Sequence, residues 1–174
     1  MITKNFQILN VGLEQRKAGF VPKANEVIRE GDLVAISVDG NGVTNLEVSD
    51  GVTFIGVALE SNVIASSQLA DQSIVDVSGY NRGGLISYFN GVGTTAKLIN
   101  TSAVAGTGVG AVTMFDATKT YTNNQAIYFD GTKYTNVSTV TPAGSGETPI
   151  TLTQIAKVVA QDTVAKTLTI QYII

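Results

Sequence analysis

The sequence predicts an all-β fold: a small β-barrel or sandwich built from two related β units and preceded by an extended N-terminal arm. Val, Ile and Thr supply 57 of the 174 residues, and branched side chains lose rotamer freedom in helices while packing well on a pleated sheet. Gly contributes 18 residues and Asn 12, the types that reach positive φ in tight turns. An eleven-residue pattern centred on an Asp-Gly turn also occurs twice. Charged residues are 14% of the chain, too few for a solvated coiled coil, and aliphatic content is too high for a disordered one.

The length fits one domain, or two small ones sharing a core, and suffices for a hydrophobic core without disulfides or metals. Cys, His and Trp are absent. That excludes a disulfide framework, a Cys/His zinc site, a Cys nucleophile and a Ser-His-Asp triad. Any active site would rest on carboxylates, Lys, Tyr or Ser/Thr. No cofactor or metal is expected.

The net charge of −3 is unevenly spread. Residues 1–30 carry five basic and three acidic residues, whereas residues 31–174 carry six and eleven. A body of that sign repels phosphate backbones, so nucleic acid is not an expected partner. The slightly basic start fits an acidic protein partner as well as ordinary surface variation. The opening Met1 to Asn5 lacks the apolar core of a signal peptide. The uncharged run from Leu98 to Phe115 holds Asn100, Thr101, Ser102, Thr107, Thr113 and three glycines, too polar for a membrane span. A soluble protein is the expectation.

Residues 1–30 read as the arm. Phe6 and Ile8, then Leu9, Val11 and Leu13, alternate with polar residues with one slip, and Gly12, Gly19 and Pro22 discourage a helix. The segment is either an ordinary first strand or an arm that adds a strand to a neighbouring chain's sheet edge. The β-domain spans 31–174, with a first unit at about 31–90, a linker at about 91–124 and a second unit at about 125–174. In the first unit Leu33–Val38 is a strand, Asp39-Gly40-Asn41-Gly42 a turn and Val43–Val48 the return strand. Asp50-Gly51 is a second turn signal. Val52–Leu59 is nearly continuous apolar, as a strand buried on both faces would be. A short helix fits Asn62–Gln72, and strands fit Ser73–Ser78, Leu85–Phe89 and, in the linker, Val109–Phe115.

The repeat aligns Ala35–Asn45 with Ala126–Asn136 at a constant offset of 91, and six of the eleven positions are identical. Downstream, Ile55–Glu60 loosely matches Ile155–Ala160, and Ser73–Tyr80 resembles Lys166–Ile173 in alternation. The second copy carries an extra loop at Pro142–Pro149. Each unit is thus a hairpin, a buried strand and a final strand. Alone it would expose an apolar face and two edges; a pair can cover one another or close into a barrel.

Literal motif matches carry little chemistry. Gly106-Thr107-Gly108-Val109-Gly110-Ala111 fits the dinucleotide fingerprint, but Val112-Thr113-Met114-Phe115 follows where a helix is required. Asp39-Gly40-Asn41 and Asp130-Gly131-Thr132 read as turns rather than calcium loops; counting from Asp39, Val43 and Thr44 occupy positions that need an oxygen ligand and a glycine. Asp71 and Asp76, near Tyr80-Asn81-Arg82, are the nearest approach to a hydrolytic carboxylate pair, with no substrate implied. Tyr121, Tyr128, Phe129 and Tyr134 cluster in the second repeat. They serve either cross-strand packing or a sugar-binding platform.

Glu30-Gly31-Asp32-Leu33-Val34, then Phe54–Leu59, then Ser73–Gly79, together resemble the capsid cement, or head decoration, proteins of tailed double-stranded DNA phages. Ala126–Gly131 and Ile155–Ala160 resemble the same pattern again, so the resemblance covers about residues 27–80 and 120–174. It implies a non-enzymatic virion protein on the outer surface of the capsid, a homo-oligomer (trimer or dimer) that clamps major capsid subunits. On that reading Phe6, Ile8, Leu9, Arg16, Lys17 and Phe20 of the arm form much of the contact, and deleting residues 1–24 leaves a folded body that no longer binds. The alternative is a phage tail or fibre module, or a glycan-binding β module using Tyr128 and Tyr134.

Overall fold

The computed structural model describes residues 5–10, 12–59, 61, 86–103, 111–142 and 147–174. The described chain is all-β, with no helix. The expected helix at Asn62–Gln72, the strand at Ser73–Ser78, Asp71, Asp76, Tyr80 to Arg82 and the Gly106–Gly110 stretch lie outside the described residues.

The strands are β1 (Phe6–Asn10), β2 (Leu13–Phe20), β3 (Leu33–Val38), β4 (Thr44–Val48), β5 (Gly56–Ala58), β6 (Ile86–Val92), β7 (Thr95–Ile99), β8 (Ala126–Phe129), β9 (Tyr134–Thr135), β10 (Thr139–Val140), β11 (Ile150–Thr151), β12 (Ala156–Asp162) and β13 (Thr167–Tyr172). They form a five-stranded sheet in the order β2-β6-β5-β3-β4, a six-stranded sheet in the order β1-β7-β13-β12-β8-β9, and the small β10-β11 ribbon. Every pairing between neighbouring strands is antiparallel. The two large sheets share one core, in which Leu33, Val57 and Phe89 of the first meet Phe6, Leu98, Ile127, Phe129, Ile170 and Tyr172 of the second. The arrangement is sandwich-like and closes no barrel.

The duplication extends to topology. In each sheet a hairpin (β3-β4, β8-β9) is followed in space by an inner strand (β5, β12), a further strand (β6, β13) and a strand that precedes the hairpin in sequence (β2, β7). Ile55–Glu60 and Ile155–Ala160, matched in sequence, begin or hold the equivalent inner strands. The position of β13 is taken in the first sheet by Ile86–Val92. Both hairpin edges are also covered alike. Leu46 donates its N–H to Val21 and accepts from Lys23, as Tyr134 donates to Met114 and accepts from Asp116, so neither return strand offers a bare edge.

Two features depart from the sequence reading. First, residues 1–30 do not stand apart as an arm: β1 pairs with β7 in one sheet and β2 with β6 in the other. The chain changes sheets at Gly12, whose position leaves no room for a Cβ against the backbone of Val92 and Gly93. The expected linker likewise supplies β7 to the second sheet. Second, the aligned hairpins differ in register. Val38 pairs with Thr44 across five residues, but Phe129 pairs with Tyr134 across four. A one-residue slip reverses the faces of the return strand, so Tyr134 shares the buried face of its partner Phe129, whereas the aligned Val43 lies in the turn before β4 and is exposed.

Candidate functional site

The residues expected to make an external contact are dispersed by the fold. Phe6 is 1% exposed and packs on Phe89 with ring centroids 6.4 Å apart. It belongs to the core and is withdrawn from the contact set, because burying its ring on folding removes it from any partner's reach. Ile8 is half-buried against the same core. Leu9 is 48% exposed at the outer strand of the six-stranded sheet. Phe20 lies on the other side of the molecule, half-buried and stacked on Tyr88 at 6.4 Å. Arg16 and Lys17 pair through their backbones with Phe89 and Tyr88; their side chains fall outside the described residues. No single face collects Phe6, Ile8, Leu9 and Phe20, the four whose side chains are described.

The aromatic cluster of the second repeat is packing, not a platform. Tyr121, Phe129 and Tyr134 are buried, and only Tyr128 stays half-exposed. Phe129 and Tyr134, cross-strand partners, meet edge to face at 5.4 Å, and Phe115 and Tyr121 at 5.9 Å. Such geometry lets the ring edge meet the neighbouring π-face.

The acidic turn residues are likewise occupied with backbone. Asp39 accepts from the N–H groups of Asn41 and Val43, Asp130 from Thr132 and Lys133, and Asp162 from Val164 and Ala165. These are Asx turns, in which the carboxylate replaces a missing backbone acceptor. Among the described residues no group of His, Cys, Asp or Glu is arranged to hold a metal ion, and no helix is long and apolar enough to cross a membrane.

One buried polar cluster was invisible in the sequence. The Tyr134 hydroxyl donates to the Gly31 carbonyl at 2.7 Å and lies 2.8 Å from the Tyr172 hydroxyl. A carbonyl only accepts, so Tyr134 spends its proton on Gly31 and Tyr172 donates to Tyr134. The chain of bonds ties the six-stranded sheet to the entry of β3 in the other sheet. Burial is the main reason both phenols are pushed well above their ordinary range, with Asp32 adding repulsion at each. Asp32 itself accepts from the Arg29 N–H at 2.7 Å. The partners are 103 residues apart for Tyr134 and Gly31; the only local signal was a Gly-Asp pair opening a strand.

Burial pushes the Asp32 carboxyl up to about 6, against the Arg29 hydrogen bond and charge, which lower it, while Glu26 adds to the rise. The unfolded chain ionises near 3.8. Between these values the native state binds more protons, so stability is greatest below the unfolded value and is lost as pH rises through about 6. The full effect is about 3 kcal/mol, of which about half falls between pH 8 and pH 5. Urea unfolding at those two pH values should show that gain on acidification, and Asp32→Asn should abolish it. An unchanged pH dependence in the variant would assign the effect elsewhere.

The fold and these contacts define a duplicated, two-sheet β protein whose sheets are joined by one aromatic core and a buried tyrosine pair. Comparison with family models, with curated proteins and with solved structures returns no match.

Proposed function

We propose that the chain is a non-enzymatic structural protein of a tailed-phage virion, one that binds the outside of the capsid and stabilises the shell by bridging major capsid subunits. The observation that carries this reading is where the capsid-cement-like segments fall. Leu33-Val34 and Ala126–Phe129 occupy the equivalent hairpin strands of the two sheets, and Gly56–Ala58 and Ala156–Ala160 the equivalent inner strands. The resemblance therefore resides in a unit that the chain builds twice.

The physics of the role is mass action. A ligand that binds the assembled lattice and not free subunits stabilises assembly by its binding free energy. A chain bridging several subunits gains further from effective concentration, even when each contact is small. Among the residues first assigned to the contact, Leu9 retains an exposed side chain at the sheet edge. Quantitative peptide mass spectrometry on virions of the encoding phage tests the role. Copy numbers comparable with the major capsid protein are expected. A handful per particle would move the protein to the tail, and absence would end the virion reading.

A further inference from the structure

The two sheets are equivalent in topology, yet they do not meet through equivalent faces. In β3 the Val34 carbonyl accepts from Ile55 at the head of the inner strand, at 2.8 Å, and the Val34 side chain lies on the outer face with Ile28, Leu46 and Ala58. In β8 the Ile127 carbonyl accepts from Ile155 at 2.9 Å, and the Ile127 side chain lies in the core between the sheets. In a strand of L-residues, the side to which a residue's carbonyl points fixes the face its side chain takes. The face that is outside in the first sheet is therefore inside in the second.

The aligned repeats agree independently. Ile36 and Val38 are 40% and 65% exposed, while their counterparts Ile127 and Phe129 are buried in the shared core. The inner strands behave alike, since Val57 is in the core and its counterpart Lys157 is exposed. The units stack front to back.

Front-to-back packing is heterologous, and it leaves one front and one back outside the shared core; most of that front is already covered within the chain, where Val34, Leu46 and Ala58 are buried with Ile28. The spare front is the exposed end of the β3-β4 hairpin: Ile36, Val38 and, in its turn, Val43 at 53% exposure. The spare back is the outer face of the six-stranded sheet. There Ala126 stands beside Lys157, and the bulge in β12 presents Val159, 42% exposed, and Ala160. The registered rows Gln7-Lys97-Thr169 and Thr95-Gln171-Lys157-Ala126 contain two lysines and no carboxylate. Residues 21–59, which include the hairpin, carry two basic residues against six acidic ones, of which Asp32 is buried and Glu47 is paired with Lys23. Exposed apolar side chains and charge match the spare front to the spare back.

We propose that the chain self-associates head to tail: Ile36 and Val38 of one copy pack on Ala126, Val159 and the Lys157 stem of the next. Such an interface closes into a ring if its rotation allows and otherwise propagates. This assembly does not depend on the capsid reading.

The test is sedimentation velocity on the full chain over a wide range of concentration. Concentration-dependent assembly, weakened by salt, is expected. Val38→Lys blocks the front, and the double variant Lys157→Glu, Val159→Glu blocks the back; all these side chains are exposed. Each should keep the native circular dichroism and lose association at least about tenfold, as removal of a central contact does. Mixed, the two should form one-to-one pairs that do not grow, because each retains one open surface. A monomeric wild type at every concentration overturns the proposal. So does normal assembly by either variant alone, which would place the contact elsewhere or make it isologous.

Discussion

Deletion of residues 1–24 is expected to abolish cooperative folding, not merely to remove a binding arm. The deletion takes β1 and β2, each hydrogen-bonded along its length to a different sheet. It also removes the Phe6 ring, which packs on Phe89 between the two sheets. Phe6→Ala alone should cost about 3–5 kcal/mol, the range for emptying a buried aromatic site. Losing both strands as well exceeds the roughly 5–15 kcal/mol that holds a typical domain together. Urea unfolding followed by far-UV circular dichroism checks both. A truncated chain that retained a cooperative transition near the wild-type midpoint would show that the body is self-sufficient and restore the arm. Capsid-binding tests should accordingly use surface substitutions, since loss of binding on truncation would report unfolding.

Gly51→Ala is expected to be the most damaging single glycine replacement in the Asp-Gly turns, at about 4 kcal/mol or more, a loss that requires a specific steric cause. Gly51 sits at φ +86°, and a Cβ there would run into the Phe129 carbonyl of the second unit. Its own carbonyl accepts from Thr153, and its N–H donates to the buried Ser49 hydroxyl, so the turn cannot withdraw without breaking the joint between repeats. Gly42 provides the control. It has a similar φ of +79° but open space where a Cβ would go, so Gly42→Ala should cost only the left-handed strain, about 1–2 kcal/mol. Equal losses in the two variants, read from urea midpoints, would mean that backbone strain alone governs both.

The contrast between these glycines marks how far local sequence reaches. Asp39-Gly40-Asn41-Gly42 and Asp50-Gly51 carry the same turn chemistry, and both are turns. Nothing local distinguishes a turn that ends in solvent from one pressed against a strand nearly eighty residues on. The candidate contact residues fared similarly. Alternation through Phe6, Ile8 and Leu9 marked a strand, and a strand forms. Whether that strand belonged to the body was a question about β7, ninety residues away.

The all-β class, the hairpin turns held by Asp39 and Asp130, and the duplication of the unit are legible in short segments, because rotamer restriction, positive φ and side-chain period two are local properties. Which face of each unit meets the other sheet is set only by long-range packing. Ile36 and Ile127 are the same residue in the same repeat position, yet one is exposed and the other buried. A strand's alternation defines two faces but assigns neither to the core. That assignment is made only when a second sheet arrives, and here it arrives on opposite faces of the two units.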